Sequence, residues 1–164
     1  MTSTAQTTVF DAWTPPLRAL FERAPDGFAF SLCAADSNGR IRTALLSAGE
    51  LIAPDARTLC FALWPTSRTA QAITQDGHAT LTFVFDEAFY QVQLDTRCIA
   101  LEGVPLACFV GWIESGEAQR VAYARLTGGI TFDLPDAQSV QARWREQIEW
   151  LKRAASAALK DKPT

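Results

Sequence analysis

The sequence predicts a mainly β protein in which six antiparallel strands form a barrel with helical additions. Short apolar segments, several with alternating character, recur through the middle of the chain, and turn signals such as Asn38-Gly39 separate them. Helical periodicity is confined to the two ends and to one short internal segment. The length of 164 residues, 48% of them hydrophobic, fits one packed domain over residues 1–164.

The two shorter predicted helices have clear boundary signals. Thr14 followed by Pro15 marks the start of an N-terminal helix, because proline is favoured in the first turn. Residues 1–12 are largely small and polar, and disorder is predicted there. Ser67 caps a short helix between the third and fourth strands, and Gly77 ends it.

The third predicted helix is long and closes the chain over residues 136–159. Val140, Trp144, Ile148 and Leu151 form an apolar stripe along it, so it must cover either the barrel or a partner subunit. The six predicted strands cover residues 28–36, 41–53, 58–64, 79–85, 89–101 and 106–114.

Charge and composition exclude several classes of function. The net charge is −3 and the basic residues are scattered, which disfavours nucleic-acid binding. The N-terminus does not resemble a signal peptide, and no apolar stretch reaches the ~20 residues of a membrane span, so a cytoplasmic protein is expected. The four cysteines are interpreted as reduced thiols, and His78, the single histidine, has no neighbouring ligand pattern, so no metal site is predicted.

Residues 64–69, WPTSRT, are the most informative chemical feature. They join a predicted strand to a predicted helix and concentrate hydroxyls and a guanidinium at the helix start. Free backbone N–H groups and the positive end of the helix dipole favour an anion there, and the Arg68 fork suits phosphate. The alternative is that Ser67 is only a helix cap and Arg68 is only solvated.

Two further features have little meaning alone. Arg42-Thr43 opens a long predicted strand, where a surface position at a hairpin is the simplest interpretation. Gln91 is an amide in the otherwise apolar opening of a predicted strand, where it is expected to face solvent.

Taken in chain order, these features resemble the FMN-binding core of pyridoxamine 5'-phosphate oxidases and their split-barrel relatives. The matching segments are RTALL at 42–46, FALWPTSRTAQAITQDGHATLTFVF at 61–85 and YQVQL at 90–94, and the resemblance spans residues 28–102. It implies a six-stranded antiparallel FMN-binding split barrel that forms a homodimer with the flavin at the subunit interface.

The resemblance also implies roles for individual residues. Arg42 and Arg68 would bind the FMN phosphate with hydroxyl donors beside them, and Gln91 would reach the flavin of the opposite subunit. The positions implied at the cofactor are Arg42, Thr43, Leu45, Leu46, Ser47, Trp64, Pro65, Ser67, Arg68, Thr69 and Gln91.

Departures from the family pattern bear on the reaction. Thr69 stands where the oxidases usually carry lysine, and a long helix replaces their Arg-Leu-containing C-terminal segment. The expected function is therefore an FMN-dependent oxidoreductase with a small-molecule substrate other than pyridoxamine 5'-phosphate. The alternatives are a non-catalytic flavin-binding or dimerising module, or a binder of deazaflavin or haem, for which His78 is the only histidine available as an axial ligand.

Overall fold

The computed structural model describes residues 6–160 and shows one curled antiparallel sheet, a half-barrel, with three helices. The strands are β1 (Gln6–Phe10), β2 (Phe30–Ala35), β3 (Ile41–Leu46), β4 (Leu51–Ile52), β5 (Thr58–Leu63), β6 (His78–Phe85), β7 (Ala88–Ile99) and β8 (Ala107–Arg120). The sheet order is β3-β2-β6-β7-β8-β5-β4, and β1 pairs with the C-terminal part of β8. The mainly β class with helices is confirmed.

The predicted number of six strands is wrong, because the sheet has eight. The single strand predicted over 41–53 is divided into β3 and β4 by a tight turn, in which the Glu50 N–H donates to the Ser47 carbonyl at 3.1 Å. The other additional strand is β1, in the segment predicted to be disordered.

The prediction of disorder over residues 1–12 is wrong for residues 6–10, which form β1. Its β-branched and aromatic residues favour an extended strand, and they pair with residues 116–120 of β8. The ring of Phe10 lies against Gly116, where a Cβ atom would collide with it. Residues 1–5, which share that prediction, lie outside the described residues.

The helices are α1 (Pro15–Glu22), α2 (Arg68–Asp76) and α3 (Ala137–Lys160). Thr14 caps α1 by accepting the Leu17 N–H at 3.4 Å, as the sequence predicts. Ser67 caps α2 by accepting the Ala70 N–H at 3.0 Å. Gly77 ends α2 in the left-handed conformation, with φ of 76°, which glycine adopts without steric cost.

The C-terminal half of α3 covers the barrel. Its Leu151 and Ala154 pack on Cys60 of β5 and Cys108 of β8, while Phe61 and its neighbours on the other face of β5 fill the main core. All of β5 is therefore buried. Burial raises the pKa of Cys60 to about 12 and that of Cys108 to about 11, so both thiols stay protonated and serve as packing residues.

Within residues 6–160, no helix combines the length and apolar character that crossing a bilayer requires.

Candidate functional site

The N-terminus of α2 presents a set of hydrogen-bond donors to solvent. The N–H groups of Arg68 and Thr69 have no partner within the helix, because they belong to its first turn. The Ser67 hydroxyl accepts the Ala70 N–H and keeps its own proton to donate. Arg68 is exposed and takes part in none of the ion pairs or side-chain hydrogen bonds found within residues 6–160. This end of α2 can therefore receive an anion without first losing an internal contact.

Thr69 differs from its neighbours in this segment. The structure places its side chain in the interior, 5% exposed, whereas Thr66 and Arg68 are exposed. Helical geometry explains this, because Thr69 shares the buried face of α2 with Ala70 and Ile73. Ser67 and Thr66 are thus the hydroxyls at the exposed helix start.

Trp64 and Pro65 lie between β5 and the capped helix start. Trp64 is 64% exposed although the six residues of β5 before it are all buried. An exposed indole provides a flat apolar surface on which a ring system can stack.

Arg42 is held by an acidic residue of the β2–β3 hairpin. Its Nε donates to Asp36 Oδ2 at 3.0 Å, which leaves both terminal amino groups available. The backbone N–H groups of Arg40 and Asn38 also donate to Asp36 Oδ1, each at 2.9 Å. These bonds, that from Arg40 foremost, lower the pKa of Asp36, so the carboxylate that orients Arg42 stays ionised.

Cross-strand pairing brings three of the predicted site residues to one outer face of the sheet. A row of directly opposed residues crosses six strands as Leu45, Ser31, Thr82, Gln91, Glu117 and Val9. The neighbouring row on that face comprises Thr43, Cys33, Thr80, Gln93 and Ser115. We call these two rows the outer face; it is polar, and its residues are exposed or half-buried.

Helix α2 packs against β2, β3 and β7, so it lies beside the strand that carries Arg42 and Thr43. The Thr96 N–H of β7 donates to the Gly77 carbonyl at 2.9 Å, which fixes the C-terminal end of the helix at β7.

Leu46 and Ser47 are not on the outer face. Leu46 is 2% exposed and belongs to the main core, because strand alternation turns it away from Leu45. Ser47 is buried in the β3–β4 turn, and its Oγ has no hydrogen-bond partner among residues 6–160. Any contact of Leu46 with a ligand on the outer face would come from its backbone.

A groove of about 960 Å³ lies between α1, the β3–β4 turn and α3. Phe21, Ile52, Trp144 and Ile148 contribute apolar surface, and basic and acidic side chains of α1 and α3 also line it. The walls of this groove come from three segments that are distant in the sequence, so no local sequence pattern predicts it. The apolar stripe of α3 was the available signal.

Gly49 allows the close approach of α3 to this turn. A Cβ atom at Gly49 would overlap the Cβ and ring base of Trp144. We therefore expect Gly49→Ala to destabilise the protein by about 1–3 kcal/mol, because the helix or the turn must shift. Denaturant unfolding followed by tryptophan fluorescence measures this. Gly128→Ala is the matched control, since its Cβ meets open space; equal stability of the two variants would contradict the close packing.

Glu50 is a half-buried acid of the same turn. Its Oε2 accepts the Ser47 N–H at 2.7 Å, and burial raises its pKa despite that bond and the nearby Arg143 charge. The pKa of Glu50 is therefore higher in the folded state than in the unfolded state, where it is about 4.3. Below the unfolded pKa, protonated Glu50 contributes its full stability to the fold. That contribution is lost as the pH rises through the folded-state pKa, because the carboxylate must then be buried with its charge.

Glu50→Gln is therefore expected to be more stable than the wild type at pH 7 and to lose that advantage near pH 4. Glutamine keeps an oxygen for the Ser47 N–H but carries no charge to bury. Unfolding free energies measured from pH 4 to pH 7 test this. A stability difference that does not change with pH would show that burial of the charge is not the cause.

Comparison with known proteins identifies relatives by sequence and by fold. No family model matches the chain. The uncharacterized protein YclD of Bacillus subtilis (strain 168) is 31% identical over 133 residues, which cover 76% of this chain and 83% of YclD.

Three solved structures share the fold at low sequence identity. HupZ of Group A Streptococcus has a TM-score of 0.52 at 15% identity and covers 73% of this chain and 98% of its own. A candidate pyridoxamine 5'-phosphate oxidase of Lactobacillus delbrueckii has a TM-score of 0.53 at 13% identity, and the match covers 65% of this chain and 94% of the oxidase chain. An FMN-binding protein of Syntrophomonas wolfei has a TM-score of 0.51 at 14% identity, and the match covers 62% of this chain and 82% of the FMN-binding protein. The chain therefore belongs to the same family as YclD and has the split-barrel fold of the pyridoxamine 5'-phosphate oxidase-related flavin-binding proteins.

Proposed function

We propose that this protein binds FMN as a homodimer and acts as an oxidoreductase on a small molecule other than pyridoxamine 5'-phosphate. The observation that carries the proposal is the exposed N-terminus of α2, which holds Ser67, two backbone N–H groups outside the helical hydrogen bonds and Arg68, an exposed side chain with no partner within residues 6–160. That a solved FMN-binding protein has the same fold supports the choice of ligand.

The donor set at α2 fits a phosphate monoester. Arg68 would donate to phosphate oxygens beside the helix N–H groups, and the terminal amino groups of Arg42 would add charge from β3. Buried Thr69 supplies no second cation where the oxidases usually carry lysine, so the phosphate is held by fewer charges. Trp64 and Pro65 would lie along the ribityl chain or the ring.

The outer face is the proposed dimer interface. Ile41, Leu45 and Val9 are 66%, 54% and 74% exposed on this side of the sheet, and large exposed apolar side chains favour association. A two-fold axis would bring Gln91 of one subunit to the flavin held by its partner.

The bound flavin would supply the redox chemistry, and the protein would supply binding, orientation and exclusion of water. Arg68 and Arg42 fix the phosphate end, which sets where the ring can lie. The Gln91 amide can both donate to and accept from polar ring atoms. No acid or base from the chain is needed to explain this arrangement.

The visible spectrum of the purified protein, before and after addition of FMN, tests the proposal. Flavin bands that co-migrate with the protein, and oxidation of NADH or NADPH by the loaded protein, are the expected results. Flavin bands without turnover would favour the non-catalytic flavin-binding module. Uptake of a deazaflavin in place of FMN would keep the site and change the cofactor, and no uptake of either would refute the proposal.

A further inference from the structure

The single histidine of the chain lies in a cluster of possible metal ligands outside the proposed flavin site. His78 Nδ1 is 3.0 Å from Asp95 Oδ1 and 3.3 Å from Glu114 Oε1. One ligand atom from each residue lies within 4.8 Å of the other two. We infer that His78, Asp95 and Glu114 form a binding site for a divalent transition-metal ion such as Zn²⁺ or Mn²⁺.

The three residues come from three adjacent strands. His78 opens β6 directly opposite Asp95 of β7, so both side chains point to the same side of the sheet. Glu114 is in β8 at a β-bulge, where Gln93 pairs with Ser115 and Leu94 pairs with Ile113. Glu114 is the additional residue, and such bulges redirect side chains.

The two distances from His78 Nδ1 suit ligands of one ion, and the ligand atoms of the two carboxylates lie within 4.8 Å of each other. Nitrogen and oxygen ligands lie about 2.0–2.2 Å from Zn²⁺, so two ligands of one ion are about 2.8–3.6 Å apart in octahedral or tetrahedral geometry. The two measured distances from Nδ1 fall within this range. Both carboxylate oxygens approach the same ring nitrogen. That nitrogen carries a single in-plane proton or lone pair, so it cannot form good hydrogen bonds to both oxygens, whereas an ion between the three atoms could contact all of them.

The local charge also favours a cation. Among the ion pairs within residues 6–160, His78 is the one basic partner of Asp95 and Glu114. Arg97, two residues from Asp95, instead has its guanidinium 5.8 Å from the Trp112 ring centroid. Two neighbouring carboxylates and one imidazole leave a negative site that a divalent ion would neutralise.

The cluster is separate from the phosphate site. His78 follows Gly77 at the C-terminal end of α2, whereas Ser67 caps its N-terminal end, and ten residues of helix span about 15 Å. The three ligands leave coordination positions open to water, since all three side chains are exposed. Metal binding there would tie β6, β7 and β8 together at the bulge.

Titration of chelator-treated protein with Zn²⁺ in a calorimeter, and with Mn²⁺ as a second probe, tests the inference. We expect one Zn²⁺ per chain and a loss of affinity of about 10-fold or more in each of H78Q, D95N and E114Q. At a Zn²⁺ concentration that saturates the wild type, the thermal midpoint of the wild type should rise by about 5 °C and that of each variant should rise less.

Two further variants keep the result interpretable. D133N removes an exposed carboxylate elsewhere, and C98S removes an exposed thiol that could bind Zn²⁺ by itself; both should retain wild-type affinity. Equal Zn²⁺ affinity in the wild type and the three ligand variants, loss of binding in C98S alone, or no saturable binding would each overturn the inference. None of these outcomes depends on FMN, so a failed flavin proposal leaves this test intact.

Discussion

Replacing Arg68 with alanine is expected to weaken FMN binding about 10- to 100-fold. A hydrogen bond to a charged group is worth about 1.5–3 kcal/mol, and Arg68 would donate at least one to the phosphate. The side chain is exposed and has no partner within residues 6–160, so its removal should leave the unfolding free energy within about 0.5 kcal/mol of the wild type. Fluorescence quenching during FMN titration measures the dissociation constant.

Arg23→Ala is the matched control, because Arg23 is also exposed but belongs to the C-terminal end of a different helix, α1. Riboflavin, which lacks the phosphate, provides a second comparison. Its affinity should be the same in the wild type and in Arg68→Ala. If Arg68→Ala binds FMN as tightly as Arg23→Ala, the phosphate is not held at the start of α2.

The parts of the site that were predictable from sequence are those with local causes. Ser67 as cap, Gly77 as terminator and the exposed Arg68 between them follow from the preferences of helix ends, and the structure shows the two predicted caps. The burial of Thr69 depends on which face of α2 meets the core. That choice is made by tertiary packing, and the hydroxyl pattern of residues 64–69 does not contain it.

Features that depend on pairing between distant segments were not predictable in this way. β1 is stabilised by the end of β8, more than a hundred residues later, and its small polar flanks suggested disorder. The cluster around His78 requires the bulge at Glu114. The bulge interrupts the inward–outward alternation of β8, so that Ile113 and Gly116, three residues apart, both face inward. Glycine has no side chain to mark the inward position, so this break in the alternation of apolar residues cannot be recognised in the sequence.

Leu45→Arg is expected to convert the proposed dimer into monomers. Leu45 is 54% exposed and lies on β3, at the end of the row of the outer face that contains Gln91. A two-fold interface on this face would contain the substitution twice. Introducing two like charges into a desolvated contact costs several kcal/mol, which corresponds to a rise in the dimer dissociation constant of about 100-fold or more. Sedimentation velocity over a range of protein concentrations, without added FMN, measures this change independently of cofactor binding.

Leu159→Arg separates this effect from the general consequence of a new surface charge. Leu159 is 61% exposed, close to the value for Leu45, but it is on α3, lines the groove and belongs to neither row of the outer face. The dimer should therefore tolerate arginine at 159 and not at 45. If Gln91 serves the partner's flavin, the monomeric Leu45→Arg protein should also bind FMN more weakly than Leu159→Arg. A dimer unaffected by Leu45→Arg would mean that subunits associate through another surface, and Gln91 would then have no route to a second flavin.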